Sequence, residues 1–191
     1  QRILIHHMKK HLQSIALLNE DNENEKIRAY IDQLMQSSDL LEFSKICDHK
    51  ILNNILCRYK KVCNDLHIAF HADIRSNTTT FLSDSDVTSL FCNMLDNAVE
   101  ASNHIKDSYI EITAAQRKHT PFIIITMINS CACNPFSPNG ELVSSKPDPQ
   151  AHGFGIKSIE KIVHNYNGNM QMYYDGETFT FHTIIMLKMK P

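Results

Sequence analysis

Three polar side chains stand about one helical turn apart in the stretch Ser89 to Ser102, SLFCNMLDNAVEAS. At about 100° per residue, Asn93, Asn97 and Glu100 fall within roughly 60° of one another on a helix, while Leu90, Met94, Leu95, Ala98 and Ala101 supply an apolar surface. Carboxamides carry no formal charge and offer neutral oxygen ligands and hydrogen-bond donors. A stacked pair of them suits a bound metal-phosphate group better than acid-base chemistry. Alone, the row is a helix with two exposed asparagines, so its meaning depends on what accompanies it.

One companion is HGFGIK, at residues 152 to 157. Of only five glycines, Gly168 and Gly176 are explained by turns, whereas Gly153 and Gly155 fall where an irregular segment enters a helix. Amide groups at a helix start are free to bind an anion, and two residues without Cβ let the backbone approach it closely. The pattern is not the GxGxxG of a dinucleotide fold, and the Walker lysine pattern is absent. A second companion is IHHMKKHLQSI, with His6, His7 and His11 in a helical pattern. His7 and His11 have the i, i+4 spacing of a zinc pair, but no Glu stands between them and no third ligand is evident.

The elements that would carry these residues follow from periodicity. Leu4, Met8, Leu12, Ile15 and Leu18 recur at threes and fours, NEDNEN interrupts, and Ile27, Tyr30, Ile31 and Leu34 repeat the pattern. Two amphipathic helices joined by a short polar loop predict an antiparallel hairpin, which buries too little alone and so pairs with a second copy as a four-helix bundle. A third helix is predicted over Lys45 to Leu66. A strand follows over His67 to Ile74, then a polar, turn-rich run from Arg75 to Asp84. The Asn helix comes next, with Asp84, Ser85 and Asp86 as cap and first-turn acids. Tyr109 to Ala114 and Phe122 to Asn129 read as β-branched strands, the second almost wholly apolar and so central. Residues 130 to 152 contain four prolines and no periodicity, the mark of a functional lid. Gly155 to Tyr166 reads as a helix ended by Asn167-Gly168. Met170 to Tyr174 and Thr178 to Leu187 read as strands joined by a type I′-like Asp175-Gly176 turn. The fold class is α+β, an N-terminal helical hairpin followed by a two-layer α/β sandwich.

Composition limits the rest. The 191 residues are 42% hydrophobic and carry 19 basic against 21 acidic residues, ordinary globular material without the charge footprint of a nucleic-acid binder. Six cysteines lack CxxC spacing, so reduced thiols are expected, and Cys131 and Cys133 read as small buried thiols. No apolar run approaches the ~20 residues that span a bilayer. Gln1 opens mid-pattern, which reads as a cytoplasmic fragment whose only link to a membrane would be a missing upstream region.

NMLDNAVEAS and HGFGIKSIEKIV resemble the N box and glycine box of the GHKL nucleotide-binding superfamily, in order and spacing. With IHHMKKHLQSI resembling the phosphoacceptor segment HDxxNHL, the whole chain is similar to the cytoplasmic part of a sensor histidine kinase. The likeness is greatest to peptide quorum-sensing receptors of the accessory gene regulator and virulence-sensor type. The resemblance implies a dimerisation and phosphotransfer hairpin over residues 1–44 and a Bergerat-type ATP-binding domain over 45–191. It puts the phosphorylated histidine at His6, the magnesium-binding Asn at Asn97 and the other N-box position at Asn93. It also puts the phosphate glycines at Gly153 and Gly155, a phosphate contact at Lys146, and the base-reading residue at Asn129, where most members carry Asp. The implied cofactors are ATP and Mg2+. The implied partners are a second copy through the hairpin and a response regulator, with no nucleic acid, and the parent protein is expected in the cell membrane.

The hairpin departs from that pattern. His7 stands where the family has an acid, and Lys10 where it has Asn. Neutral His7 can take a proton near neutral pH, since imidazole titrates at about 6.5, whereas protonated His7 beside Lys10 would depress the His6 pKa. Autophosphorylation followed by transfer to a response-regulator aspartate is therefore expected, with a catalytically silent nucleotide-binding dimeric scaffold as the alternative. An anti-sigma-type kinase, sharing the ATP domain but acting on serine, is a third reading. Hydrolase relatives carry Glu at the position of Asn93, and a carboxamide cannot serve as a general base, so phosphoryl transfer is favoured over hydrolysis.

Overall fold

In the computed structural model the described residues are 12–17, 19, 24–36, 45–140, 142 and 154–189. The chain divides into two compact units, Gln1–Lys45 and Ile46–Pro191.

In the first unit, residues 12–17 are helical and a helix α1 spans Asn24–Gln36. Leu12 and Leu17 are each 62% exposed and Ile31 is 41% exposed, so apolar side chains of both segments face solvent. His6, His7 and the connecting residues 20–23 lie outside the described residues.

The second unit is a five-stranded sheet in the order β1-β2-β3-β5-β4, with helices α2 (Lys50–Asp65), α3 (Asp84–Ser102) and α4 (Phe154–Asn165). Its strands are β1 (Ala69–Ile74), β2 (Tyr109–Gln116), β3 (Phe122–Ser130), β4 (Asn169–Asp175) and β5 (Thr180–Lys188). The pair β1 and β2 is parallel and the other pairs are antiparallel. Helix α2 packs on β1, α3 on β2 and β3, and α4 on β5 and β4. β3 is central, as its apolar composition predicts: both its edges are paired, with β2 and β5, and its inward face lies under the helices. Register lines up Ile112 with Met127, Ala114 with Ile125, Ile125 with Ile185 and Ile123 with Leu187, all buried in one core with the helices.

Helix α2 begins five residues later than periodicity suggests. His49 is its N-cap, with Nδ1 accepting from the Leu52 amide, and Asn53 Oδ1 accepts from the amides of Ile46 (2.8 Å) and Cys47 (3.3 Å). These side-chain acceptors hold the lead-in extended, a local competition that apolar spacing does not register. The buried stripe is Leu52, Leu56, Tyr59 and Cys63. Tyr59 Oη donates to Asp96 Oδ1 of α3 at 2.5 Å and reaches the Cys92 carbonyl at 3.5 Å. Burial pushes its phenol up, and the Asp96 carboxylate beside it adds to the shift.

The cap of α3 is Ser83, one residue before the expected acids. Its Oγ accepts from the Asp86 amide (3.1 Å) and donates to Asp86 Oδ2 (2.7 Å). Tyr166, just past α4, donates to the same Asp86 oxygen (2.8 Å) and accepts from the Ser83 amide (3.2 Å), latching the end of α4 to the start of α3.

One turn differs from expectation, and the turn that ends α4 forms where expected with a different residue in the left-handed conformation. The β4-β5 connection is the four-residue loop 176–179, since Asp175 pairs with Thr180, and the left-handed residue is Phe179 (φ 54°). Asp175 Oδ1 accepts from the amides of Glu177 and Thr178, which organises the loop without a type I′ turn and holds that carboxyl below its ordinary pKa. After α4, Asn167 takes the left-handed conformation (φ 47°), and Gly168 serves close packing: a Cβ there would collide with the Met186 carbonyl and lie 3.0 Å from the Val163 carbonyl.

Two measurements test this account. Gly168→Ala is expected to lower stability by about 2 kcal/mol, because both obstacles are backbone; an unshifted urea midpoint would refute the close approach. Tyr59 keeps its proton above the ordinary value of 10.0 in the folded state, so the stability it contributes is full below pH 10 and is lost as pH rises beyond it. The Cys63 thiol, raised by burial from 9.0 to about 11, adds to the same alkaline decline. Tyr59→Phe is expected to cost about 1 kcal/mol at neutral pH and to make stability fall less steeply above pH 10. Parallel curves for the two proteins would count against the Tyr59-Asp96 bond.

Candidate functional site

Helix α3 has two faces because its buried positions, Val87, Leu90, Phe91, Met94, Leu95, Ala98 and Ser102, form one stripe. That leaves Asn93 half-buried at the stripe's border and Asn97 exposed one turn on. Asn93 Nδ2 donates to the Ser89 carbonyl at 2.7 Å, which ties the amide to its own helix and turns Oδ1 outward. Oδ1 stands against the first turn of α4, where a Cβ on Gly155 would lie 3.2 Å from it. Glycine at 155 thus allows the α4 start to come up to the carboxamide row, so α3 and the glycine segment meet at this point.

Asn129 occupies the last helix-facing position of β3, in register with Ile110 and Phe181. It is 3% exposed and follows Ile123, Ile125 and Met127 in an otherwise apolar row. Its Nδ2 donates to the Ser130 carbonyl at 2.9 Å, and Ser102 Oγ, at the end of α3, donates to the same carbonyl at 3.1 Å. The Tyr109 amide in turn donates to Ser130 Oγ at 3.0 Å. The bond to the Ser130 carbonyl uses one of the two Nδ2 hydrogens of Asn129 and fixes the orientation of the amide, so its carbonyl oxygen can serve as an acceptor for an amino donor.

Beyond β3 the chain turns through residues 132–133, and the Phe136 ring packs 5.8 Å from that of Phe181. Lys146 and Gly153 lie outside the described residues, as do His6 and His7. The described residues therefore bring Asn93 to Gly155 and link Asn129 through Ser130 to the end of the helix that bears Asn97.

Ser102 and Ser130 were not singled out by residue type. Ser102 could have been found by periodicity, because it falls four residues after Ala98 on the buried stripe, where a hydroxyl needs a partner. Tyr59 and Asp96 carry no such signal, since their contact joins separate helices.

The donor set fits a nucleotide with its divalent cation. A neutral exposed carboxamide offers a hard oxygen ligand, a glycine-lined helix start accommodates phosphate, and a buried acceptor ends an apolar row suited to a base. Among the described residues no group of three or more His, Cys, Asp and Glu could hold a metal.

Comparison with known proteins places the fold. The catalytic domain of histidine kinase ThkA superposes with a TM-score of 0.56 at 14% identity, covering 73% of this chain and 91% of that one. Mycobacterial sensor histidine kinase MprB gives 0.54 at 15% identity, covering 74% and 95%. A histidine kinase domain from an Erythrobacter litoralis blue-light activated histidine kinase gives 0.53 at 10%, covering 87% and 74%. At such identities the likeness is one of fold. A search of curated proteins gives no match. Residues 82–186, from the cap of α3 to the last strand, match the family described as GHKL domain. That match spans more than half of the chain, and the chain belongs to the GHKL family.

Proposed function

We propose that this chain is the kinase portion of a sensor histidine kinase, which binds ATP with Mg2+, phosphorylates His6 and passes the phosphoryl group to an aspartate of a response regulator. The observation that carries the reading is the meeting of Asn93 and Gly155, with Asn97 exposed one turn further along α3. Asn97 is the proposed magnesium ligand, Gly153 and Gly155 flank the phosphates, Lys146 neutralises part of their charge, and Asn129 reads the adenine amino group. Bound ATP-Mg supplies an activated γ-phosphoryl group, and the protein contributes position and charge neutralisation. A ring nitrogen of His6 forms the new bond to phosphorus as the bond to the β-phosphate oxygen breaks. His7 is the proposed acceptor of the imidazole proton.

Asn93 supports transfer over hydrolysis, because a carboxamide is no general base. The first unit is the proposed dimerisation hairpin, in keeping with the exposure of Leu12, Leu17 and Ile31. Assignment to the peptide quorum-sensing branch, and a parent protein in the membrane, rest on motif resemblance. No described helix is long and apolar enough to cross a membrane. The substituted pair His7 and Lys10 favours a second reading, in which the dimer binds nucleotide and signals by conformation alone.

The deciding experiment is incubation with γ-labelled ATP. Acid-labile, base-stable label on the purified protein, lost in His6→Gln while binding of an ATP analogue is retained, is the expected result. Undiminished label in that variant would overturn the role of His6, absence of label with intact binding would favour the silent scaffold, and acid-stable label would indicate serine chemistry. Asn97→Ala is expected to weaken magnesium-dependent ATP binding far more than it shifts the melting temperature; an equal loss of folding would return Asn97 to a packing role. Asn129→Asp, although it restores the residue most relatives carry, would set a carboxylate oxygen against the Ser130 carbonyl. It is expected to reduce affinity by about tenfold, and tighter binding would show that Asn129 is not held as an acceptor.

A further inference from the structure

Two thiols stand immediately beyond β3, and the proposed reaction uses neither. Cys131 is buried and Cys133 exposed. The Cys131 amide donates to the Phe179 carbonyl at 2.9 Å, which extends the β3-β5 pairing by one residue and anchors this end of the segment. Its Sγ turns along the chain and donates to the carbonyl oxygen of Cys133 at 3.1 Å. The backbone bends at residues 132 and 133, and that bond holds the Cys131 sulfur against the backbone of Cys133. The remaining cysteines, Cys47, Cys57, Cys63 and Cys92, lie on α2, its lead-in and α3.

We propose that Cys131 and Cys133 are a redox modification site, closing reversibly into an intrachain disulfide at the expense of a low-molecular-weight disulfide of the glutathione class. Exposure makes Cys133 the entry point. Its thiolate attacks one sulfur of the oxidant, the small S–S bond breaks, and one small thiolate leaves and takes up a proton. The Cys131 sulfur, giving its proton to solvent, then attacks the Cys133 sulfur of the mixed disulfide and displaces the second small thiol. In sum, two protein thiols and one small disulfide become one protein disulfide and two small thiols. Burial pushes the Cys131 thiol up, which suits it to the second, intramolecular step, where proximity compensates for a low thiolate fraction.

Closure draws the exposed Cys133 toward the anchored Cys131 and reshapes the chain between Asn129 and Phe136. Because this segment continues directly from Asn129, the base-reading residue of the ATP-binding reading on which this step rests, the oxidised protein binds nucleotide several-fold more weakly.

The test uses the full chain, equilibrated at defined ratios of reduced to oxidised glutathione, alkylated and mapped by mass spectrometry. Wild type is expected to yield a peptide holding both residues that has lost two hydrogens, resists alkylation and is restored by dithiothreitol. Cys131→Ser is expected to retain a glutathione adduct on Cys133, and Cys133→Ser to show neither product. Full alkylation of both thiols at every ratio, or a lasting adduct on wild-type Cys133, would overturn the site. Titration with a fluorescent ATP analogue supplies the second readout, with weaker binding expected for oxidised wild type and equal binding for Cys133→Ser in both buffers. A cross-link with unchanged affinity would overturn the coupling. Failure of the reduced wild type to bind the analogue would sink the ATP reading and the coupling with it, while the cross-link would still be decided by mass.

Discussion

The bond from Asn93 Nδ2 to the Ser89 carbonyl is the constraint on which the site depends. A carboxamide free on a helix surface would sample several rotamers, and losing them on binding would weaken any ligand contact. Here one end of the amide is fixed to the helix and the other faces Gly155. Two further requirements follow. Residue 155 must lack a Cβ, or the carboxamide must yield by a few tenths of an ångström. Helix α4 must also start at the right height along α3. That height is set at the far end of α4, where Tyr166 bonds both the cap residue Ser83 and Asp86 of α3. The latch is polar and partly buried, the core beneath it is apolar, and together they hold the glycine turn against the carboxamide row.

The end of β3 that carries Asn129 answers a different cost. Asn129 lies in a row that otherwise holds Ile and Met, and a buried amide without partners would be destabilising by several times the worth of a hydrogen bond. The Ser130 carbonyl removes part of that cost by accepting from both Asn129 and Ser102. The carbonyl thereby decides which way the amide points, since the reverse orientation would bring two oxygens together. A charged Asp at this position would meet that carbonyl unfavourably, so the amide of Asn129 and the Ser102 hydroxyl on the buried stripe are two parts of one local solution.

Much of this was legible in the sequence because it follows from periodicity. The stripe of α3, the apolar run of β3 and the stripe of α4 each announce an element and its buried face, and the N-box and glycine-box patterns announce the family. What escaped was set by contacts that periodicity does not encode. Asn53 and His49 capture amides ahead of α2 and delay its start. Gly168 looked like a turn glycine, yet Asn167 takes the left-handed conformation and Gly168 is required by the passing β5 backbone. Asp175-Gly176 looked like a tight turn, yet Asp175 opens a four-residue loop by binding two amides with one oxygen. At the start of α2 and in the β4-β5 loop a polar side chain satisfied backbone amides in a way that residue type permits and spacing does not specify, and at Gly168 the cause was the close approach of another strand.

Charge sets the last condition on the proposed chemistry. The exposed side of α3 carries Asp96 and Glu100 on either side of Asn97, and Asp86 and Asp84 lie in its first turn. Asp96 is directed by Tyr59 toward α2, and its carboxylate still contributes negative potential near the carboxamide row. A bare polyphosphate approaching this helix would meet repulsion from those carboxylates, offset by the amides at the start of α4 and by Lys157 and Lys161 of that helix. A neutral Asn97 adds no further negative charge and, in the proposed reading, can give an oxygen to a divalent cation, which would screen the phosphate from its acidic neighbours. In that reading the acidic residues favour a metal-bound nucleotide as much as the asparagines do.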